Sequence, residues 1–256
     1  MNKYDIQVWS INWGVCNMKL KDYLLNIIAP PRCMSCNTRM PLDSNALFCF
    51  ECSKQYKRND QNTCSICGKP ISENSDKTCR DCKSTKIYYV KNVSRYLYKG
   101  CIKNAIQNMK FKNRMWIAYE FGKVLCDTVK NEYGDIDFDM VLYVPMTPIS
   151  KRVRGFNQSA EIAQVISEKL NIPIYDKILY KKAGVKTQSG LNRKDRIENI
   201  KNAFIVRHSD LLVDKTILLI DDVFTTGSTV NECARTLKKN GALAVYTATV
   251  ATVKLD

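Results

Sequence analysis

No stretch of this chain approaches the roughly 20 consecutive apolar residues of a membrane span, which argues against a helical membrane protein. The opening stretch, MNKYDIQVWSINWGVC, is broken by Gln7, Ser10 and Asn12, so it lacks the continuous apolar run of a secretory signal. A cytoplasmic location follows as the expectation. Neither a GxxxxGK nor a GxGxxG motif occurs, which argues against nucleoside-triphosphatase and dinucleotide-binding readings. Histidine is nearly absent: the single one, His208, sits in a polar RHSD stretch and reads as surface. Acidic residues are missing altogether from Lys83 to Tyr119.

Cysteine, by contrast, is abundant, and eight of the twelve fall in four C-x-x-C pairs between Cys33 and Cys82. A cytosolic chain keeps thiols reduced, which favours metal over disulfides for paired cysteines. Cys33 and Cys36 recur 31 residues later as Cys64 and Cys67, and Cys49 and Cys52 recur 30 residues later as Cys79 and Cys82. Each C-x-x-C turn aims two sulfurs at one point, and two such turns complete a tetrahedron around Zn2+. The short spans between pairs favour sequential sites, Cys33, Cys36, Cys49 and Cys52 for one and Cys64, Cys67, Cys79 and Cys82 for the other, although an interleaved pairing is also compatible with the spacing. Both sites are closed, so the two zinc ions have a structural role. The surrounding segment is polar and has too few apolar residues for a core of its own, so metal must supply its stability. Cys16, Cys101, Cys126 and Cys233 stand alone and read as small buried residues.

The formal net charge is +15; two zinc ions on eight thiolates would lower it to about +11. Such a balance favours an acidic partner: nucleic acid, phosphates or an anionic surface.

The chain divides into three parts: an N-terminal extension with a short amphipathic helix over 1–32, a zinc-binding module with two four-cysteine sites over 33–86, and an α/β domain over 87–256. From Met18, MKLKDYLLNIIAPPRC has the look of a start, its helix stopped by Pro30 and Pro31. Strands are expected at Val93–Tyr98, Met140–Val144, Ala203–Val206, Thr216–Ile220 and Leu243–Val250. Helical spacing runs through Ile102, Ile106 and Met109, then Ile117, Phe121, Val124 and Leu125, then Gln158–Leu170 and Ser228–Lys239. This alternation argues for a mostly parallel sheet covered by helices.

The most specific stretch is TILLIDDVFTTGSTV, residues 216–230. A buried strand delivers Asp221 and Asp222, and a loop of Thr225, Thr226, Gly227, Ser228 and Thr229 opens a helix. Hydroxyls, backbone N–H groups and the helix N-terminus converge there on a phosphate dianion, while the carboxylates suit neighbouring sugar hydroxyls. An anion cup beside a diol acceptor describes a ribose 5-phosphate. The stretch resembles the phosphoribosyl-pyrophosphate motif of the type I phosphoribosyltransferases at every position.

With the cysteines ahead of this motif, Met18–Val250 resembles the ComF family, competence-associated proteins with a zinc module and a phosphoribosyltransferase-like domain. MKFKNR at 109–114, VPMTPISKRVRGFNQSAEIA at 144–163 and KTQSGLNRKDRIENIKNAF at 186–204 carry the likeness. The resemblance implies a pyrophosphate loop of Pro145, Met146 and Thr147, with Arg152 and Arg154 offering bidentate cations to it, and a mobile loop holding Gln188, Arg193 and Arg196. It also implies phosphoribosyl pyrophosphate with Mg2+ as the ligand, and a chemistry of stabilising a ribosyl cation while magnesium pyrophosphate departs. The sequence identifies no base for an incoming nucleophile, so the catalytic residues are unknown and whether transfer occurs is open.

In the acid-free stretch, nine cations (Lys83 to Arg114) interleave with Tyr88, Tyr89, Tyr96, Tyr98, Phe111 and Trp116. Lys99, Lys103, Lys110, Lys112 and Arg114 are the candidates to track the phosphates of a single strand, the aromatics to stack its bases; the alternative is aromatics in the core and lysines merely solvated. The ComF resemblance implies handling of single-stranded DNA during natural transformation; separately, two closed metal sites with no chemistry of their own suit an interaction scaffold for a helicase-like competence protein. An active phosphoribosyltransferase of nucleotide metabolism is the alternative function.

Overall fold

The computed structural model describes residues 30–59, 62–72, 76–182 and 200–254. The helix expected before Pro30, Cys16, and Gln188, Arg193 and Arg196 lie outside the described residues.

Runs of β-branched and apolar residues form a four-stranded, fully parallel sheet. Its strands are β1 (Asn92–Leu97), β2 (Met140–Tyr143), β5 (Thr216–Phe224) and β6 (Ala244–Thr252), in the order β1-β6-β5-β2. A short antiparallel pair, β3 (Leu179–Lys181) and β4 (Phe204–Val206), stands beside it. The helices between strands are α3 (Gly100–Phe111), α4 (Met115–Tyr133), α5 (Pro148–Arg154), α6 (Gln158–Leu170) and α7 (Ser228–Lys239). Two one-turn helices, α1 (Phe50–Ser53) and α2 (Arg80–Ser84), belong to the cysteine-rich segment.

The alternation along β5 sorts the interior into two cores. Leu218 and Ile220 face α3, α4 and α6 through Ile106, Phe121 and Ile162. Ile217 and Leu219 face α7 and the β3–β4 pair through Cys233, Leu237 and Phe204. Helix α6, between β2 and β3, and helix α7, after β5, therefore lie on opposite faces, which opens a crevice at the carboxyl ends of β2 and β5, where α/β sheets hold their ligands.

The expected helices Gln158–Leu170 and Ser228–Lys239 have those bounds. Strand β5 runs four residues past its expected end. The apolar pattern breaks at Asp221, but the ladder with β6 continues, Asp221 opposite Thr249 and Phe224 opposite Thr252. The backbone thus stays extended under the acid pair.

The cysteine-rich segment does not depend on metal alone. Cys33, Met34, Met40 and Phe48 join the first core, and Cys64, Cys67 and Cys79 join the second. Asn108 of α3 donates to the carbonyls of Met34 and Ser35 at 2.9 and 2.7 Å, fixing one repeat. Asn231 of α7 holds the segment leaving the other, accepting from the Tyr88 N–H at 2.8 Å and donating to the Lys86 carbonyl at 3.0 Å.

Candidate functional site

The eight paired cysteines gather sequentially, Cys33, Cys36, Cys49 and Cys52 in one group and Cys64, Cys67, Cys79 and Cys82 in the other, the sulfurs of each within 4.8 Å of one another. This removes the interleaved arrangement. The chain turns back identically after the first pair of each repeat: the Asn37 N–H donates to the Cys33 carbonyl and the Gly68 N–H to the Cys64 carbonyl, both at 2.9 Å. The second pair rides on a one-turn helix whose N-cap is Cys49 or Cys79. Sulfurs stand 3.7 Å apart between Cys36 and Cys49, and equally between Cys67 and Cys79. A tetrahedron with zinc–sulfur bonds of ~2.3 Å has edges of ~3.8 Å, so both groups fit structural zinc. Cys101, Cys126 and Cys233 are buried, as expected.

The second site sits on the crevice. β5 carries Asp221 and Asp222 toward opposite faces of the sheet. Asp221 accepts from the Ser159 hydroxyl at 2.9 Å. Burial, with the Asp222 charge alongside, pushes its carboxyl up to about 7. Asp222 is 8% exposed and accepts from the Lys110 ammonium at 2.8 Å. Beyond Phe224 the loop turns at Gly227, whose φ of +79° is left-handed and whose missing Cβ leaves room for the Phe224 ring. Gly227 is the N-cap of α7, and the Thr226 and Ser228 hydroxyls are 2.8 Å apart. Four features therefore meet at one strand end: an acid pair, a glycine turn, clustered hydroxyls and a helix N-terminus.

The neighbouring loop follows β2. The Val144 N–H donates to the Ile220 carbonyl at 2.9 Å, and Asn157 donates to the Val144 carbonyl at 3.1 Å while capping α6 through the Ser159 N–H. Pro145 and Thr147 are buried and Met146 half-buried. Thr147 caps α5 by accepting from the Ser150 N–H at 3.2 Å. Arg154 lies over the Phe111 ring, 5.2 Å from its centroid, and Arg152 points into solvent.

Of the residues grouped as a nucleic-acid face, Lys99, Lys103 and Lys112 are exposed, and Arg114 keeps one Nη buried with no acceptor among the described residues. Lys110 is placed differently, at the acid pair. The aromatics divide: Tyr89 and Tyr96 are core, Tyr88 and Tyr98 half-buried, whereas Phe111, Trp116 and Tyr119 are 69%, 39% and 50% exposed. Sequence reasoning did not single out Ser159 or Asn157, which position Asp221 and the Val144 carbonyl. Both lie inside the RGFNQS run, and their signal was a polar pair at the start of an amphipathic helix. The pairing of Lys110 with Asp222 joins residues 112 positions apart and has no local signal.

Comparison with known proteins follows the same division. A double zinc ribbon domain matches residues 24–83, and a phosphoribosyl transferase domain matches residues 142–254. Competence protein F of Haemophilus influenzae is 31% identical over 214 residues, covering 82% of this chain and 92% of its own. The chain belongs to the ComF family. DNA utilization protein YhgH of Escherichia coli K12 is 30% identical to this ComF-family chain, over 86% of it and 96% of YhgH. Among solved structures, a purine phosphoribosyltransferase from Pyrococcus horikoshii is 17% identical, over 52% of this chain and 74% of its own, with a TM-score of 0.34. No described helix is long and apolar enough to cross a membrane.

Proposed function

We propose that this ComF-family chain handles single-stranded DNA during natural transformation and binds phosphoribosyl pyrophosphate, with Mg2+, at the crevice between β5 and β2. The observation that carries the sugar-phosphate reading is the joint placement of the acid pair and the left-handed Gly227 turn at one strand end. In this reading the loop Thr225–Thr229 cups the 5′-phosphate, Asp221 and Asp222 accept from the ribose hydroxyls, and Pro145–Thr147 with Arg152 and Arg154 face the pyrophosphate. Lys110, 2.8 Å from Asp222, would then hold that carboxylate in place until the hydroxyls arrive. Mg2+ would be held chiefly by pyrophosphate and ribose oxygens, and would neutralise charge on the leaving group.

The DNA reading is supported by the exposed rings Phe111, Trp116 and Tyr119 and the exposed Lys99, Lys103 and Lys112 of the same acid-free stretch, with Arg154 over the Phe111 ring. Stacking on such rings is worth ~1–3 kcal/mol per base and does not depend on sequence. Titration of a fluorescent oligonucleotide across a range of salt concentrations tests it. Affinity should fall steeply and linearly on logarithmic axes, and Phe111→Ala with Trp116→Ala should weaken binding without changing that slope. Binding that ignores salt would overturn the reading.

The complete motif at 216–230 also favours an active phosphoribosyltransferase of nucleotide metabolism. Incubation with phosphoribosyl pyrophosphate, Mg2+ and the common nucleobases would then release pyrophosphate; no release across that panel counts against it.

A further inference from the structure

A cavity of about 150 Å3 separates the second four-cysteine site from the phosphate loop. One wall is formed by Cys67, Lys69 and Cys82, the other by Thr226, Gly227 and Ser228. Two cysteines of the metal site and three residues of the loop therefore share one space, large enough for a phosphate or a single ring.

Lys69 is the anomaly in this cavity. Its residue is 4% exposed, yet the carboxylate nearest its ammonium, Asp81, is 3.9 Å away, at the outer limit of an ion pair. Its other close neighbour is the face of Phe224, 5.8 Å to the centroid. No described residue accepts a hydrogen bond from its Nζ. An ammonium has three donors, and burying a charge is costly unless it is paired and hydrogen-bonded. The position is not a chance of side-chain flexibility, because the backbone is held on every side. Gly68 takes φ +66° directly behind Cys67, with the Asn92 carbonyl oxygen 2.5 Å from where a Cβ would lie. The Lys69 carbonyl accepts from the Cys64 N–H at 2.8 Å, and the Gly68 carbonyl accepts from the Asn59 side chain at 2.7 Å. The turn that aims Cys64 and Cys67 at a metal also aims Lys69 at the phosphate loop.

We propose that Lys69, carried by the second zinc module, is a direct ligand of the phosphate held by the Thr225–Thr229 loop, so that phosphate binding and metal retention at the second four-cysteine site stabilise each other. The inference rests on the reading of that loop as a phosphate cup. Lys69 exchanges its long contact with Asp81 for a charge-assisted bond to the anion. Coupling between two ligands is reciprocal: a phosphate that needs an intact metal turn must also raise the equilibrium affinity for that metal. The first four-cysteine site lies in the other core and has no part in this.

The test uses the full zinc-loaded chain, ribose 5-phosphate and magnesium pyrophosphate as separate probes, and calorimetry. Lys69→Met should bind ribose 5-phosphate about 10- to 100-fold more weakly, the range for a lost charged hydrogen bond, with pyrophosphate binding unchanged. In equilibrium competition with a chromogenic chelator, the wild type should hold one zinc ion, and not the other, more tightly when ribose 5-phosphate is present. If Lys69→Met keeps two zinc ions and wild-type affinity, the proposal is overturned while the phosphate cup stands. If the wild type does not bind ribose 5-phosphate at all, the cup itself is overturned and the proposal with it. Should Lys69→Met fail to fold, the wild-type competition decides: equal zinc affinities with and without ribose 5-phosphate overturn the coupling.

Discussion

Replacing Gly227 by alanine places one methyl group where the structure has no space for it. An ideal Cβ there lies 2.5 Å from Phe224 Cζ and 3.0 Å from Cε1. Phe224 cannot retreat, because it is 2% exposed, packed edge-on against Tyr89, and held in the ladder opposite Thr252. The φ of +79° adds its own cost, ~1–2 kcal/mol for a left-handed L-residue, and overpacking a rigid neighbour adds ~1–3 kcal/mol. The loop has a cheaper escape than the core: it leaves the left-handed region and loses the turn that presents its N–H groups. A conformational cost of ~2–4 kcal/mol charged against binding corresponds to roughly 30- to 1,000-fold weaker ribose 5-phosphate affinity. Global melting should move far less, by a few degrees at most, and both zinc ions should stay bound. Calorimetry of Gly227→Ala with ribose 5-phosphate, beside a thermal scan, reads both quantities. Wild-type affinity in the variant would refute the claim that this turn needs a glycine to hold a phosphate.

Asp221 carries a pH signature. Its carboxyl is raised to about 7 in the fold from an ordinary 3.8, so the folded chain binds the proton more tightly than the unfolded one. Its contribution to stability is full below pH ~4 and is lost as pH rises toward ~7, by at most ~4 kcal/mol at ~1.4 kcal/mol per unit. Asp221→Asn should accordingly gain stability relative to wild type as pH rises from ~4 to ~7 in urea melts, and a constant difference across that window would contradict this. Lys110→Met leaves the Asp222 carboxylate without its cation and should cost ~1–3 kcal/mol, below the range for a fully buried pair because both side chains keep some exposure; Lys110→Met with Asp222→Asn should recover part of it. Gly122 on α4 meets Val165 of α6 at 2.7 Å from an added Cβ, so Gly122→Ala should destabilise by ~1–3 kcal/mol in denaturant while leaving ligand affinity unchanged. Cys33→Ser and Cys64→Ser should each reduce bound zinc from two ions to one by mass spectrometry under native conditions; loss of both from either variant would contradict two independent sites.

The parts legible in sequence are those whose signal is local. Four C-x-x-C pairs state their metal chemistry within a few residues, and ILLIDD followed by TTGST states strand, acids, turn and helix start in order. Amphipathic spacing gave α6 and α7 their bounds because each begins at a capping or glycine position and ends at Asn171 or Asn240. The strand ends were not legible: Asp221–Phe224 are strand because they pair with β6, and Ala251–Thr252 because they pair with Val223 and Phe224 on one side and Tyr96 and Leu97 on the other. Lys110 illustrates the same limit for the site, since composition places it on a basic surface and only the packing of α3 brings it to Asp222. The aromatics of the acid-free stretch were divisible only by burial. Tyr96, packed against Tyr56 and Phe121, and Phe111, largely in solvent, have the same neighbourhood in sequence.

The two cysteine repeats insert into opposite interiors of the same sheet, Met34 and Phe48 into one, Cys67 and Cys79 into the other. A cut near residue 86 would therefore strip an apolar lining from both sides of the sheet at once. The ribbon is better regarded as a clamp across the domain than as a detachable appendage. Expression of residues 87–256 alone should yield aggregate rather than a smaller folded unit, and any search for separable activities in this chain will have to proceed by point substitution.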